Sequence, residues 1–294
     1  MNAIDIRGLT KDYGQDKGIF DLSFSVARGE VLGFLGANGA GKTTTIRHLM
    51  GFVKPKRGQA EILGLDCFKK APDIQRQVGY LPGEIAFMDQ MTGQAFIDFM
   101  ARMKGLKTTT RASRLIQYLE LDPTVKIKRM SKGMKQKIGL VVAFMADAPI
   151  LILDEPTSGL DPLMQSKFVD LIRHEKAQGK TVLMSSHMFE EVEHTCDRVV
   201  MIKKGRIVAD ETMAKIKDGQ SKHYEIRFAS REIAESFAGQ ITGGHLEGRT
   251  VSFLLRGEVN ALLRVLTGFD VEDINVRPQS LEEVFMAYYG GKVS

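Results

Sequence analysis

Three stretches carry residue types whose spacing could handle a phosphate. GANGAGKT, Gly36 to Thr43, satisfies GxxxxGK[ST] and lies between the apolar run EVLGFLG and the helical run KTTTIRHLMG. Gly36, Gly39 and Gly41 let the backbone curl until its N–H groups, those of Asn38, Ala40 and Thr44 among them, converge on phosphate oxygens. Lys42 should reach the β- and γ-phosphates, and the Thr43 hydroxyl should ligate Mg²⁺. ILILDEP, Ile150 to Pro156, reads as a buried strand ending in two acids. Asp154 is placed there to hold Mg²⁺, directly or through water, and Glu155 to polarise an attacking water as general base. His187 follows the strand-like TVLMSS, in a position to contact a γ-phosphate. His48, His174, His194, His223 and His245 read as structural.

The elements that must hold these residues can be read from periodicity. AIDIRGL and FDLSFSV alternate and predict half-buried antiparallel strands, whereas EVLGFLG is continuous and suits a strand buried on both faces. Residues 91–145 are mostly helical by spacing, and their many methionines are expected as core filler. Strand PILILD, helix MQSKFVDLIRHEKAQG, strand TVLMSS, helix MFEEVEH and strand RVVMI then alternate as a parallel sheet with helices on its faces requires. After the turn-rich KDGQSK, the order is βαββαβ, as in a ferredoxin-like sandwich, followed by a final helix over SLEEVFMAYYG.

Composition excludes several classes. At 294 residues, 43% hydrophobic and 26% charged, the chain is long enough for two modest cores and is not of disordered type. The apolar run IGLVVAFMA is far short of the ~20 residues that span a bilayer. The N-terminus lacks a basic-then-apolar leader, so a cytoplasmic location is expected. Cys67 and Cys196 form no CxxC pair and are expected as buried thiols, and no HxxxH cluster supports zinc hydrolysis. Charge is uneven: residues 220–294 hold 8 Lys/Arg against 10 Asp/Glu, leaving 33 against 26 on residues 1–219. That asymmetry predicts a domain of residues 1–219 and an accessory α+β domain of residues 220–294.

Assembled in order, these motifs resemble the ATP-binding-cassette (ABC) transporter ATPase family over residues 1–219. GANGAGKT is similar to its Walker A loop, ILILD with Glu155 to its Walker B strand and catalytic acid, SGLD (Ser158 to Asp161) to its D-loop, and His187 to its switch histidine. Tyr13 resembles the aromatic that stacks on adenine. MSKGM, Met130 to Met134, lies where the family carries LSGGQ, with Lys132 for the first Gly and Met134 for Gln. The resemblance implies a P-loop ABC ATPase fold with an antiparallel β subdomain and a helical subdomain at about residues 84–135. It also implies a head-to-tail homodimer that sandwiches ATP. There Ser131, the Gly133 backbone and Asp161 of one copy would serve the nucleotide of the other, with Lys132 placed to add charge.

The family's Q-loop should fall at VGYLPGE, where Gly83 and Glu84 stand instead. Glycine cannot ligate a metal, so either Glu84 supplies a carboxylate or water fills that position. YLPGE, SKGMKQK and SLEEVFMAYYG together resemble the single-cassette ATPases that serve a separately encoded type-2 permease and export drugs, antibiotics or lipid-linked compounds. This implies a location on the inner face of the cell membrane, held there by the permease. The basic run VKIKRMSKGMKQK leaves a rival class, a soluble ABC-type ATPase acting on the ribosome or nucleic acid. Against it stand a single GKT, no long heptad insertion and no aromatic residue in the run to stack a base.

Overall fold

The computed structural model describes residues 1–257 and 259–284. Two units divide at Met213/Ala214. In the first, β1 (Asn2–Asp12), β2 (Gly18–Ala27), β4 (Arg57–Ile62) and β5 (Leu65–Asp66) form an antiparallel sheet in the order β2-β1-β4-β5. Alternation puts Ile4, Ile6, Leu9, Leu22, Phe24 and Val26 into one core, because successive strand side chains point to opposite faces.

The second sheet holds β3 (Val31–Leu35), β6 (Val78–Leu81), β7 (Ile150–Asp154), β8 (Thr181–Ser186), β9 (Arg198–Lys203) and β10 (Arg206–Thr212), in the order β10-β9-β3-β8-β7-β6. All pairings are parallel except the β9/β10 edge. Every residue of β3, β7 and β8 is buried, as continuous apolar strands covered on both faces must be. Register aligns their ends: Leu35 pairs with Ser186, Asp154 with Ser185 and Leu81 with Leu153. Residues that follow these strands therefore emerge along one carboxyl edge, where open α/β sheets hold ligands.

Helix α1 (Lys42–Leu49) leaves that edge after β3, and α2 (Ala71–Gln77) precedes β6. Three helices follow: α3 (Gly93–Met103), α4 (Thr110–Tyr118) and α5 (Lys132–Phe144). The apolar IGLVVAF continues α5 to Phe144, and Ile138 to Phe144 are all buried. Thr92 caps α3 by accepting from Ala95 N, and Ser131 caps α5 by accepting from Met134 N. Asp161 caps α6 (Pro162–Ala177) by accepting from Met164 N, with Pro162 at the first helical position. Helix α7 (Phe189–Thr195) joins β8 to β9. The methionines divide: Met130 and Met145 are buried as expected, but Met103, on the last turn of α3, is 71% exposed.

A charged cluster ties α4 to the sheet. Arg111 donates from Nε to Phe144 O at 2.8 Å, bonds Glu175 through Nη2 and approaches Asp147 at 3.1 Å. Lys180 bonds both Glu175 and Asp147. Glu175 and Lys180 form a buried ion pair between α6 and the start of β8, and Arg111 of α4 and the exposed Asp147 extend it to the surface.

The second unit comprises α8 (Met213–Gly219, from Ala214 on), β11 (Lys222–Phe228), α9 (Arg231–Ala238), β12 (His245–Glu247), β13 (Thr250–Leu255), α10 (Val259–Leu266) and β14 (Val271–Pro278). Its sheet order β12-β13-β11-β14, all antiparallel, is that of a ferredoxin-like sandwich. Phe228, Phe237 and Phe253 meet in its core with ring centroids 4.9 and 6.0 Å apart. Residues 281–284 are helical, and the rest of the expected final helix lies outside the described residues. Cys67 and Cys196 are free and buried, and burial pushes both thiols up to about 12, which leaves them unreactive.

Candidate active site

The loop after β3 turns through Gly41 at φ 117°, a conformation that side chains with a Cβ rarely adopt, and a Cβ there would meet Ile19 Cγ2 at 2.8 Å. That turn opens α1 at Lys42, whose side chain is 5% exposed. Lys42 Nζ donates to Gly36 O and, at 3.3 Å, to Ala37 O, and stands 3.0 Å from Glu155 Oε1. The other oxygen of Glu155 accepts from His187 Nδ1 at 2.5 Å. One carboxylate thus joins the P-loop lysine to the histidine after β8.

Glu155 sits at φ +52°, uncommon for a residue with a side chain, and its N–H is held by Ser185 Oγ at 3.1 Å. Asp154 is fully buried, accepts from Ser185 Oγ at Oδ1, and leaves Oδ2 without a hydrogen-bond partner. Gly83 lies against that oxygen: a Cβ at position 83 would be 3.1 Å from Asp154 Oδ2.

A cavity of about 1020 Å³ opens over these groups. Tyr13, Asn38, Gly39, Gly41, Lys42, Thr43, Thr44, Glu84 and Glu155 line it. Gly36 and Ala40 support the loop from beneath: a Cβ at Gly36 would meet Ile202 O at 2.5 Å, and Ala40 is 6% exposed. Asp154 and His187 join this group through Glu155 and Gly83 rather than as cavity wall. Tyr13 is 57% exposed, with Lys11 Nζ 5.7 Å from its ring centroid. Phe20, Arg47, Tyr80, Lys204 and Arg206 are also part of the wall. No local spacing announces Phe20, Tyr80 or Arg206, since β2, β6 and β10 bring them in from distant sequence, whereas Arg47 comes from α1 and Lys204 from the β9–β10 turn. Burial, with Asp154 nearby, pushes the Tyr80 phenol up to about 12 and keeps it neutral.

Ser131, Gly133 and Asp161 do not line this cavity. Gly133 is pressed on the loop before α6, where a Cβ would come within 2.7 Å of Gly159 O, and the stem of Lys132 lies over Gly159. Gly133→Ala therefore should force the first turn of α5 and the loop before α6 apart at a cost of about 1–3 kcal/mol. A lowered urea midpoint together with slower ATP turnover would bear this out, and unchanged values of both would refute it. Lys126, Lys128 and Arg129 of the basic run are exposed around a short 3₁₀ turn anchored by buried Ile127 and Met130. A further residue that spacing does not reveal is Gln136 on α5, whose Nε2 donates to Glu155 O at 3.2 Å and Pro156 O at 2.8 Å.

Residues 19–158 match the model of the ABC transporter family. The chain is 33% identical over 294 residues to the bacitracin transport ATP-binding protein of Bacillus licheniformis, with 96% of each covered. It is 30% identical over 303 residues to a daunorubicin resistance ATP-binding protein of Streptomyces coeruleorubidus, covering 98% of this chain and 96% of that one. Among solved structures, the ATP-binding subunit of an ABC transporter superposes with a TM-score of 0.67 at 31% identity, over 74% of this chain and 92% of that one.

Proposed function

The chain belongs to the ABC transporter family as an ATP-hydrolysing, ATP-binding subunit, and from that premise we propose that Glu155 is its catalytic base and export of a drug, antibiotic or lipid-like molecule its task. The observation that carries the catalytic assignment is the bridge formed by Glu155 between Lys42 and His187. Glu155 accepts the proton of the water whose oxygen bonds the γ-phosphorus, while the bond to the β–γ bridging oxygen breaks and ADP departs. Lys42 leaves its loop carbonyls for the phosphate oxygens, the N–H groups of the loop cradle them, and His187 holds the γ-phosphate. Tyr13 receives the adenine ring.

Mg²⁺ fits this site. Asp154 Oδ2 is a buried carboxylate oxygen without a hydrogen-bond partner, and the exposed Thr43 lines the cavity that the next residue, Glu155, also lines. Bound by Thr43 and Asp154, the ion would neutralise charge developing on the phosphates. Gly83 has no room for a long side chain beside Asp154, so Glu84 is the carboxylate available on that wall. Glu84→Ala is expected to raise the Mg²⁺ concentration for half-maximal hydrolysis by about threefold to tenfold; an unchanged metal titration would remove Glu84 from the ligand set.

Ser131, Gly133 and Asp161 lie away from the cavity of their own chain, which supports a head-to-tail dimer in which they serve the partner's nucleotide. No helix among the described residues is long and apolar enough to cross a membrane, and the similarity to transport and resistance ATP-binding proteins supports a separate permease as partner. The chain would then work on the inner face of the membrane. Antibiotic-related relatives that match nearly their whole length favour an export role over the ribosomal one. Affinity purification from native membranes tests this. An integral membrane protein should co-purify, and a peptide antibiotic, an anthracycline or a lipid-linked compound should stimulate ATP hydrolysis by the complex. Recovery of ribosomes or RNA instead would overturn it.

A further inference from the structure

Behind the pair formed by Glu155 and His187 lies a third acid that the hydrolytic reaction does not use. Glu191, on α7, is 6% exposed. Its Oε2 is 2.6 Å from Ser186 Oγ, and its Oε1 is buried without a hydrogen-bond partner. Ser186 in turn accepts from Met188 N at 2.9 Å and has Met188 O within 3.3 Å, so its hydroxyl meets both backbone groups of the residue that follows His187. Thr157, also buried, lies beside the carboxyl without a bond of good geometry.

The Ser186 hydroxyl has one proton to give. If Glu191 is ionised, that proton goes to Oε2, and Met188 O loses it. If Glu191 is the neutral acid, it donates to Ser186 Oγ, and the hydroxyl proton is free for Met188 O. The Met188 N–H bond to Ser186 Oγ survives in either form, but only the neutral form adds the bond to Met188 O and avoids burying a bare carboxylate oxygen. We propose that Glu191 is a positioning residue for hydrolysis: as the neutral acid it closes the Ser186–Met188 turn and so sets His187 against Glu155, and loss of its proton loosens that turn.

The surroundings agree. Burial pushes the Glu191 carboxyl up from the ordinary 4.5 to about 7, with the nearby charge of Glu155 adding to the shift and Ser186, Thr157 and His187 opposing it. The titratable groups facing it are Glu155 after β7, His187 before α7 and Cys196 after it. From β3, Gly33 lies against Val192 and Cys196, and from α6, Arg173 and Lys176 engage His194 O and Asp197 at the far end of α7. Because the folded-state value is the higher one, the stability this proton contributes is complete below about pH 4.5 and is lost as pH rises through about 7.

The inference rests on Glu155 and His187 acting together, and E191Q with E191A tests it separately from that reading. Wild-type kcat should fall about threefold between about pH 6 and about pH 8 with KM for ATP unchanged. In E191Q, a neutral side chain with a donor, the profile should be flat over that window. In E191A, kcat should be about tenfold lower throughout, again with little change in KM. Infrared difference spectra should show a protonated-carboxyl stretch that titrates in the wild type and is missing from E191Q. If E191Q keeps the wild-type pH limb, or the carboxyl band is absent at pH 6, the proposal is wrong. Failure of the Glu155 reading has a different signature, namely retained turnover in Glu155→Gln.

Discussion

Replacing Glu155 by Gln is expected to lower kcat by about 10²- to 10⁴-fold, the range a positioned general base supplies, while ATP binding survives. The amide keeps the shape of the side chain and can still accept from His187, but it cannot take a proton from water. It also removes the negative charge 3.0 Å from Lys42 Nζ, which releases the lysine toward phosphate. ATP should therefore remain bound longer, and a dimer that is transient in the wild type should persist. Single-turnover phosphate release measures the first effect, and light scattering with and without ATP the second. Hydrolysis within about twofold of the wild type would remove Glu155 as the base.

Glu175→Ala is expected to cost about 3–5 kcal/mol, because it removes the buried partner of the buried Lys180 and leaves that charge with only an exposed carboxylate. Lys180 is 8% exposed and would keep only Asp147, while Arg111 would lose the better shielded of its two carboxylates. Chemical unfolding of the whole chain measures this as a drop in midpoint. A double change, Glu175→Leu with Lys180→Met, fills the same space without charge and should recover most of the loss. If the single change costs under about 1 kcal/mol, the cluster behaves as a surface network and the assignment fails.

Legibility in the sequence followed the range of the interactions involved. The strands β3, β7 and β8 could be read because burial on both faces forces an unbroken apolar run, and the P-loop because its chemistry is confined to neighbouring residues. Strand β4, Arg57–Ile62, could not: its first three residues are exposed, so no alternation marks it. Helix α2 hides behind Pro72 and a single buried residue, Ile74. The same limit applies to the site. Arg206 and Phe20 reach the cavity through sheet pairing, Gln136 reads as one more polar residue on a helix, and Glu191 looks like a solvated member of an acidic turn. Arg111 and Glu175 are ordinary charged residues until the fold brings them together across 64 positions. The exposure of Met103 was not legible either, since spacing marks an apolar face but not where the neighbouring element stops covering it.

Helix α5 has Ser131 at one end and, five residues on, Gln136 holding the backbone of Glu155 and Pro156. In a head-to-tail pair the same rigid rod, about 7.5 Å between those points, would touch one copy's triphosphate and the other copy's hydrolytic acid. The two sites would then not be independent counters of ATP. Occupancy at one would steady the acid at the other, so that saturation curves become sigmoidal, with a Hill coefficient above 1 and at most about 2 for two sites. Shortening Gln136 would cut the rod's grip without touching either nucleotide contact, and hydrolysis would turn hyperbolic before it turned slow.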